Sequence, residues 1–259
     1  MIPRLSPLFQ GDRAVHAETL SCAAEWPAGA ISVAHLLGSD QLLGDTIRRY
    51  AAHLKVSGEG LRAAASAWSL DYLWALLPAT AAAASVLRHT FPMRADDVAL
   101  SLSDFGAPIR FHILHEGGPA QAAPPAVRYA PLLDAHLDPL FKAISRQTRL
   151  AQKILWGNTA RYLEAILDQA LALTGNAEHV AQDKQALLLH PTRPDGSFNP
   201  LFSPRRTSPV AENGVTAPLL LHRQCCLYYR LPGHSHCRAC PLAPEHRAES
   251  KSADRIVGQ

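Results

Sequence analysis

The sequence predicts a predominantly helical α+β fold, with a β-hairpin near 97–114 and a small C-terminal cysteine-rich module. Three observations carry that prediction. Apolar residues recur at helical spacing over most of the stretch from residue 40 to residue 173. Period two replaces it on both sides of Asp104-Phe105-Gly106-Ala107. Four of the five cysteines crowd into Arg223–Leu242.

The first thirty residues are weakly patterned. Ser39 or Asp40 suits the N-cap of a helix through Leu42, Leu43, Ile47 and Tyr50. A second helix is expected from about Gly60 to Leu77 and a third from Ala79 to Arg88, broken at Pro78. The run Leu70–Leu87 is apolar, but Asp71, Pro78 and its many alanines favour a buried helix pair over a membrane span. Val98, Leu100 and Leu102 alternate with Ala99, Ser101 and Ser103. Ile109, Phe111 and Ile113 then alternate with Arg110, His112 and Leu114, completing the hairpin. Helix returns from about Pro131 to Ile144 and from Arg149 to Leu173, with Gly175 suited to the position just past the end.

These patterns divide the chain into a helical α+β domain over 1–190, a linker rich in Pro, Ser, Asn and Arg over 191–216, a module over 217–246, and a polar tail over 247–259 expected to be disordered. No internal repeat is visible.

The formal charge is +3, and Arg48-Arg49 and Arg205-Arg206 are isolated pairs, so no nucleic-acid partner is expected. The opening MIPRLSPLFQGDRAV has no apolar core for a secretory signal, which points to a reducing cytosol. There a cluster of cysteines implies metal or redox chemistry before structural disulfides. No G-x-G-x-x-G follows a strand, which argues against direct use of a nicotinamide cofactor.

Cys225, Cys226, Cys237 and Cys240 are spaced C-C-x10-C-x2-C. Two residues between Cys237 and Cys240 bring two sulfurs to one side of a turn. Pro232 and Gly233 let the intervening segment fold back. Three readings follow from spacing alone: structural zinc, an iron–sulfur cluster, or a redox disulfide at Cys237-Cys240. Zinc usually takes two C-x2-4-C knuckles, and the adjacent pair makes a poor one. Neighbouring side chains on extended backbone point apart, so both cysteines ligate only if the chain bends sharply. Iron–sulfur sites use four thiolates at more varied spacings. Cys22 has no partner in sequence and reads as a small packed hydrophobe.

The run CCLYYRLP followed by CRACPL resembles the C-terminal signature of the FhuF-type ferric siderophore reductases. The resemblance covers all four cysteines, with Leu227, Tyr228, Arg230, Pro232 and Pro241 beside them, and more weakly LWGN (Leu155–Asn158) and NPLF (Asn199–Phe202). It implies a 2Fe-2S cluster on Cys225, Cys226, Cys237 and Cys240. It also implies one-electron reduction of an Fe(III)–siderophore, usually a hydroxamate, releasing Fe(II) in the cytoplasm, with the 1–190 domain binding the siderophore. The chemistry is coherent, because hard oxygen ligands hold Fe(III) far more tightly than Fe(II). The electron donor is then another protein, a ferredoxin or flavin reductase, and a peripheral contact with the inner membrane stays open. Two other classes remain: a zinc-stapled siderophore-binding protein without redox activity, and a 2Fe-2S electron carrier or redox sensor.

Arg223, Arg230 and Arg238 are candidates for favouring a more negative reduced cluster, against the plain alternative of solvated arginines. Tyr228 and Tyr229 are candidates for excluding water, with packing the commoner use. His222, His234, His236 and His246 surround the cysteines as loop residues or proton carriers. Gly157 suits a close backbone approach and Asn158 a bond to a loop carbonyl. Arg110, His112, Arg205 and Arg206 are the charges available to an oxygen-rich ligand. The resemblance places the substrate in a cleft between the helical domain and the module, and names no residue for it.

Overall fold

A computed structural model describes residues 2–212 and 215–246. In chain order the elements begin with α1 (Val15–Glu18), β1 (Leu20–Cys22), β2 (Ile31–Ser32), α2 (Val33–Gly38), α3 (Asp40–His53) and α4 (Leu61–Ser85). There follow β3 (His89–Thr90), β4 (Val98–Leu102), β5 (Pro108–Ile113), β6 (Gly118–Pro119), α5 (Pro125–Leu132) and α6 (Asp138–Thr148). The chain continues with α7 (Gln152–Leu173), α8 (Glu178–Lys184), β7 (Thr207–Glu212) and β8 (Val215–Leu220). The predominantly helical α+β class is the observed one.

Helix α4 is the axis of the molecule. Twenty of its 25 residues are buried, so it is apolar all round instead of amphipathic. It packs on α7 along one side and on β5 along another. Trp68 donates its indole N–H to the Gly106 carbonyl at 2.8 Å, tying α4 to the turn between β4 and β5. Tyr72 meets Phe111 of β5 edge-on, with ring centroids 4.8 Å apart. The break expected at Pro78 does not occur: Pro78 lies inside one continuous helix. Packing from α7 and the sheet holds the helix through the proline at the cost of one backbone hydrogen bond. Among the described residues no helix is long and apolar enough to cross a membrane.

Ser39 caps α3, its hydroxyl accepting from the Leu42 N–H at 3.2 Å. The hairpin of β4 and β5 forms in register, Leu100 opposite Phe111. It is the centre of a four-stranded sheet ordered β1-β5-β4-β2, in which β1 runs parallel to β5. His112 is buried there between Ser21 and Ser101, its ring nitrogens 2.6 and 2.7 Å from their hydroxyls. Cys22, in β1, is partly buried against the core.

Helix α5 runs through a π-helical turn at Leu133–Leu137 into α6, so the helix expected over 131–144 is part of a longer one. Arg149 then turns left-handed and separates α6 from α7, which starts three residues later than expected. Residues 191–216, read as a linker, contain a Thr192–Phe198 bridge and one strand of the β7–β8 hairpin. Pro209 and Pro218 face each other in that ladder, which is why the stretch reads as non-strand. The tail at 247–259 lies outside the described residues.

Candidate metal centre

The module after β8 folds back on itself at each place where the cysteine spacing requires it. Leu227, next after the adjacent pair, is left-handed at φ 61°. That is a costly conformation for a branched residue and supplies the sharp bend the pair needs. A single turn of 3-10 helix, Tyr228–Arg230, and the left-handed Gly233 then return the chain. Two aromatic contacts close the loop: Tyr228 meets His234 edge-on at 4.5 Å, and Tyr229 stacks on His236 at 3.9 Å. At Cys237–Cys240 the Cys240 N–H bonds to the Cys237 carbonyl at 2.9 Å, making the turn that gathers two sulfurs. His246 fastens the end of the module, one ring nitrogen 2.9 Å from the Ser208 hydroxyl and the other 2.8 Å from the Arg238 carbonyl.

All four cysteines line one cavity of about 240 Å³, walled by Leu70 of α4, Arg161 of α7 and the module itself. Cys225, Cys226 and Cys240 are buried and Cys237 is exposed; none forms a disulfide. The Cys225 and Cys240 sulfurs are 3.5 Å apart. Two thiolates on one tetrahedral metal, at about 2.3 Å each, stand roughly 3.8 Å apart, so this pair is spaced as co-ligands are. Among the described residues no three His, Cys, Asp or Glu side chains gather into a ready-made site for a single ion. Four thiols on one cavity are a donor set of the kind that holds a thiolate-bound metal group. Burial pushes the Cys225 thiol well up, opposed by the Leu227 N–H that donates to its sulfur at 3.3 Å. Burial raises Cys237 too, and the Arg161 guanidinium works against it. Thiols that resist ionisation in the apolar cavity need a cation to hold them as thiolates.

Helix α7 positions the module through one stripe, Gly157, Arg161 and Glu164, at intervals of one helical turn. At Gly157 an added Cβ would lie 2.6 Å from Gln224 Cβ, so only glycine lets the residue before the first cysteine come this close. Glu164 accepts from Arg205 with both oxygens at 2.8 Å, and Arg205 also donates to the Leu221 carbonyl at 2.9 Å. Arg206 donates to the Pro241 carbonyl at 2.9 Å. His222 lines the cavity, its pKa pushed down to about 4 by burial and by Arg161 and Arg205.

The other candidate residues divide between those that line this cavity and those outside it. Arg223 faces away from the cysteine cavity: it donates to the Ser203 carbonyl at 2.6 Å and approaches Glu164 at 3.7 Å. Arg230 is exposed and bonds the Tyr229 hydroxyl at 3.3 Å. Arg238 is exposed and outside the cavity lining. Tyr228 and Tyr229 do line it. Asn158 reaches no loop carbonyl; it is buried and donates to Ser66 and Ser69 of α4 at 3.2 and 3.1 Å. Asn199 fastens the loop after α8, donating to the Leu187 and His190 carbonyls at 3.0 and 2.9 Å. Arg110 and His112 lie on the sheet and do not line the cavity. Arg161 is the residue the sequence reading missed, although its place four residues beyond Gly157 was a usable signal.

Fold and site together define a helical α+β protein in which a four-thiol module docks on a central helix pair. The chain belongs to the family described as ferric iron reductase FhuF-like transporter, whose model matches residues 66–215 and ends before the cysteines. The chain is 32% identical over 118 residues to the ferric siderophore reductase of Escherichia coli (strain K12). That match spans 46% of this chain and 42% of the relative. The fold is similar to ATP-bound aerobactin synthetase IucA from a hypervirulent pathotype of Klebsiella pneumoniae. It matches 68% of this chain and 37% of that one at a TM-score of 0.54 and 16% identity. A second structure of that synthetase matches at a TM-score of 0.52 and 15% identity, over 67% of this chain and 38% of its own. At such identities the likeness is one of fold alone.

Proposed function

We propose that this protein reduces an Fe(III)–siderophore of the hydroxamate type by one electron, using a 2Fe-2S cluster held by Cys225, Cys226, Cys237 and Cys240. The observation that carries the reading is the convergence of these four thiols on one cavity at the junction of α4, α7 and the module. Family membership and the name of the curated relative support the substrate class. When bound, the cluster supplies a one-electron store that need not touch the iron it reduces. The chain's own residues do the rest. Leu227 N–H donates to the Cys225 sulfur and favours negative charge there. Leu70, Tyr228 and Tyr229 limit water at the cavity. Arg161 places a positive charge beside Cys237. One electron leaves the protein and one Fe(III) becomes Fe(II), which its oxygen ligands hold weakly. Another protein, a ferredoxin or flavin reductase in the cytoplasm, restores the electron.

The test is anaerobic absorption and electron paramagnetic resonance of the purified protein before and after dithionite, followed by a ferric trihydroxamate with an Fe(II) chelator present. A one-electron signal that appears on reduction and disappears as Fe(II) is trapped supports the reading. Serine at any of the four cysteines should lower iron and sulfide per chain several-fold, whereas Cys22→Ser should leave both unchanged. A colourless protein holding one zinc ends it.

A further inference from the structure

Beside the cysteine cavity lies a second concavity of about 330 Å³, on the other side of the Cys225 loop. Its walls come from α7, the strap before β7 and the module, and Cys225 and His222 belong to both cavities. Its charged lining is wholly basic: Lys153, Arg206 and Arg223, with no carboxylate among the residues that line it. Lys153 and Arg206 are exposed and have no carboxylate partner among the described residues. Glu164, which lies 3.7 Å from Arg223, is committed to Arg205 through both oxygens. The Arg223 side chain is only 8% exposed, and its Nε is buried without a hydrogen-bond partner. Three cations around a concavity without a carboxylate favour an anionic oxygen there.

We propose that this groove is the substrate seat, and that its ligand is a net-anionic ferric chelate, a hydroxamate that also carries free carboxylate. The proposal rests on the reductase reading and adds the substrate's charge and its binding residues. A neutral tris-hydroxamate offers Lys153 and Arg206 only the oxygens of an uncharged complex, whereas a pendant carboxylate adds a charge-assisted contact to these cations and to Arg223. The position is suited to electron transfer, since the groove and the thiol cavity share Cys225 as a wall. The alternative occupant of a basic patch is an acidic donor protein. A concavity of this volume suits a small chelate better than the broad face of a protein.

The experiment separates binding from reduction by using gallium(III), which mimics Fe(III) in size and charge and takes no electron here. Titrate the full-length, metal-loaded protein with the gallium complex of a linear trihydroxamate, and with the complex of the same ligand bearing pendant carboxylates. The carboxylate form should bind at least tenfold more tightly at low ionic strength, with the advantage shrinking as salt is added. Lys153→Glu, a change on an exposed helix position, should remove most of that preference while leaving affinity for the neutral complex within about twofold. Arg206→Gln should do the same to a smaller degree. Equal affinity for the two complexes, or a preference untouched by Lys153→Glu, overturns the proposal. If the variant instead slows only reduction by an acidic donor protein, the groove is a donor site and the proposal also falls. Failure to reduce either ferric complex, with gallium binding intact, counts against the reductase reading and leaves the seat standing.

Discussion

Gly157 is where one missing methyl group sets the geometry of the candidate centre. Its helix is rigid, and the atoms facing it are Gln224 Cβ and Cγ, at 2.6 and 2.8 Å from an added Cβ. Gln224 Cβ cannot swing aside without moving the backbone, and the next residue is Cys225. Gly157→Ala therefore improves helix propensity by about 1 kcal/mol while overpacking the contact by about 1–3 kcal/mol. The two partly cancel in the melting temperature, but only the second acts on the cysteine loop. The expected outcome is a melting temperature within a few degrees of the parent and iron content lowered several-fold. Adding Gln224→Gly removes the clashing Cβ and should restore much of the iron. Unchanged iron in Gly157→Ala would mean that the loop docks without the close approach.

Three helices are held together by a buried polar network whose disruption should leave the cysteine module alone. Arg128 of α5 pairs with Asp183 of α8, with side chains 2% and 1% exposed. Ser85 of α4 donates to Asp183 at 2.7 Å, and the Ser85 and Tyr129 hydroxyls are 2.7 Å apart. Asp183→Ala strands a buried guanidinium, so it should cost about 3–5 kcal/mol in urea unfolding. Removing Asp45 from its exposed pair with Arg48 should cost less than about 1 kcal/mol. Iron per folded chain should be the same in both. A cost for Asp183→Ala no larger than for Asp45→Ala would show that water reaches the pair. Elements of this kind differ in how far sequence reveals them. The Ser39 cap, the hairpin and the Gly157 approach each have a local cause, and each was legible. The persistence of α4 through Pro78 has none: it comes from packing on every side by segments distant in sequence. Strands β1 and β2 are two or three residues long and show no period, and the β7–β8 ladder is disguised by its prolines. At the centre, the four cysteines were legible from spacing. Arg161 was signalled only by its place four residues beyond Gly157, and the basic groove not at all, because both arise where the α7 stripe meets a loop distant in sequence.

The whole molecule should lose stability in mild acid, and the cause sits at its centre. His136 is fully buried where the turn joining α5 to α6 meets α4. One ring nitrogen, Nδ1, is 2.9 Å from the Met93 carbonyl, which can only accept, so Nδ1 carries the proton. Nε2 is then the acceptor for the Tyr72 hydroxyl at 2.5 Å. A second proton on Nε2 would force the Tyr72 hydroxyl from donor to acceptor and cost it the Nε2 acceptor, and burial pushes the His136 pKa from 6.5 down to about 4, with the Met93 bond a smaller opposing effect. The unfolded chain takes up that proton near pH 6.5, before the folded one does. Stability is therefore full above about 6.5 and is lost as the pH falls toward 4. At about 1.4 kcal/mol per unit, the loss is roughly 3 kcal/mol. Burial also lowers His112, which adds to the slope in the same direction. His136→Gln should be less stable than the parent at pH 7, because a partner of Tyr72 or Met93 is disturbed. Its unfolding free energy should nevertheless fall less steeply between pH 6.5 and 4.5. Urea titrations of both proteins across that range give the two slopes. If they are parallel, the proton that weakens the fold in acid binds elsewhere, and the His112 site between Ser21 and Ser101 is the next place to test.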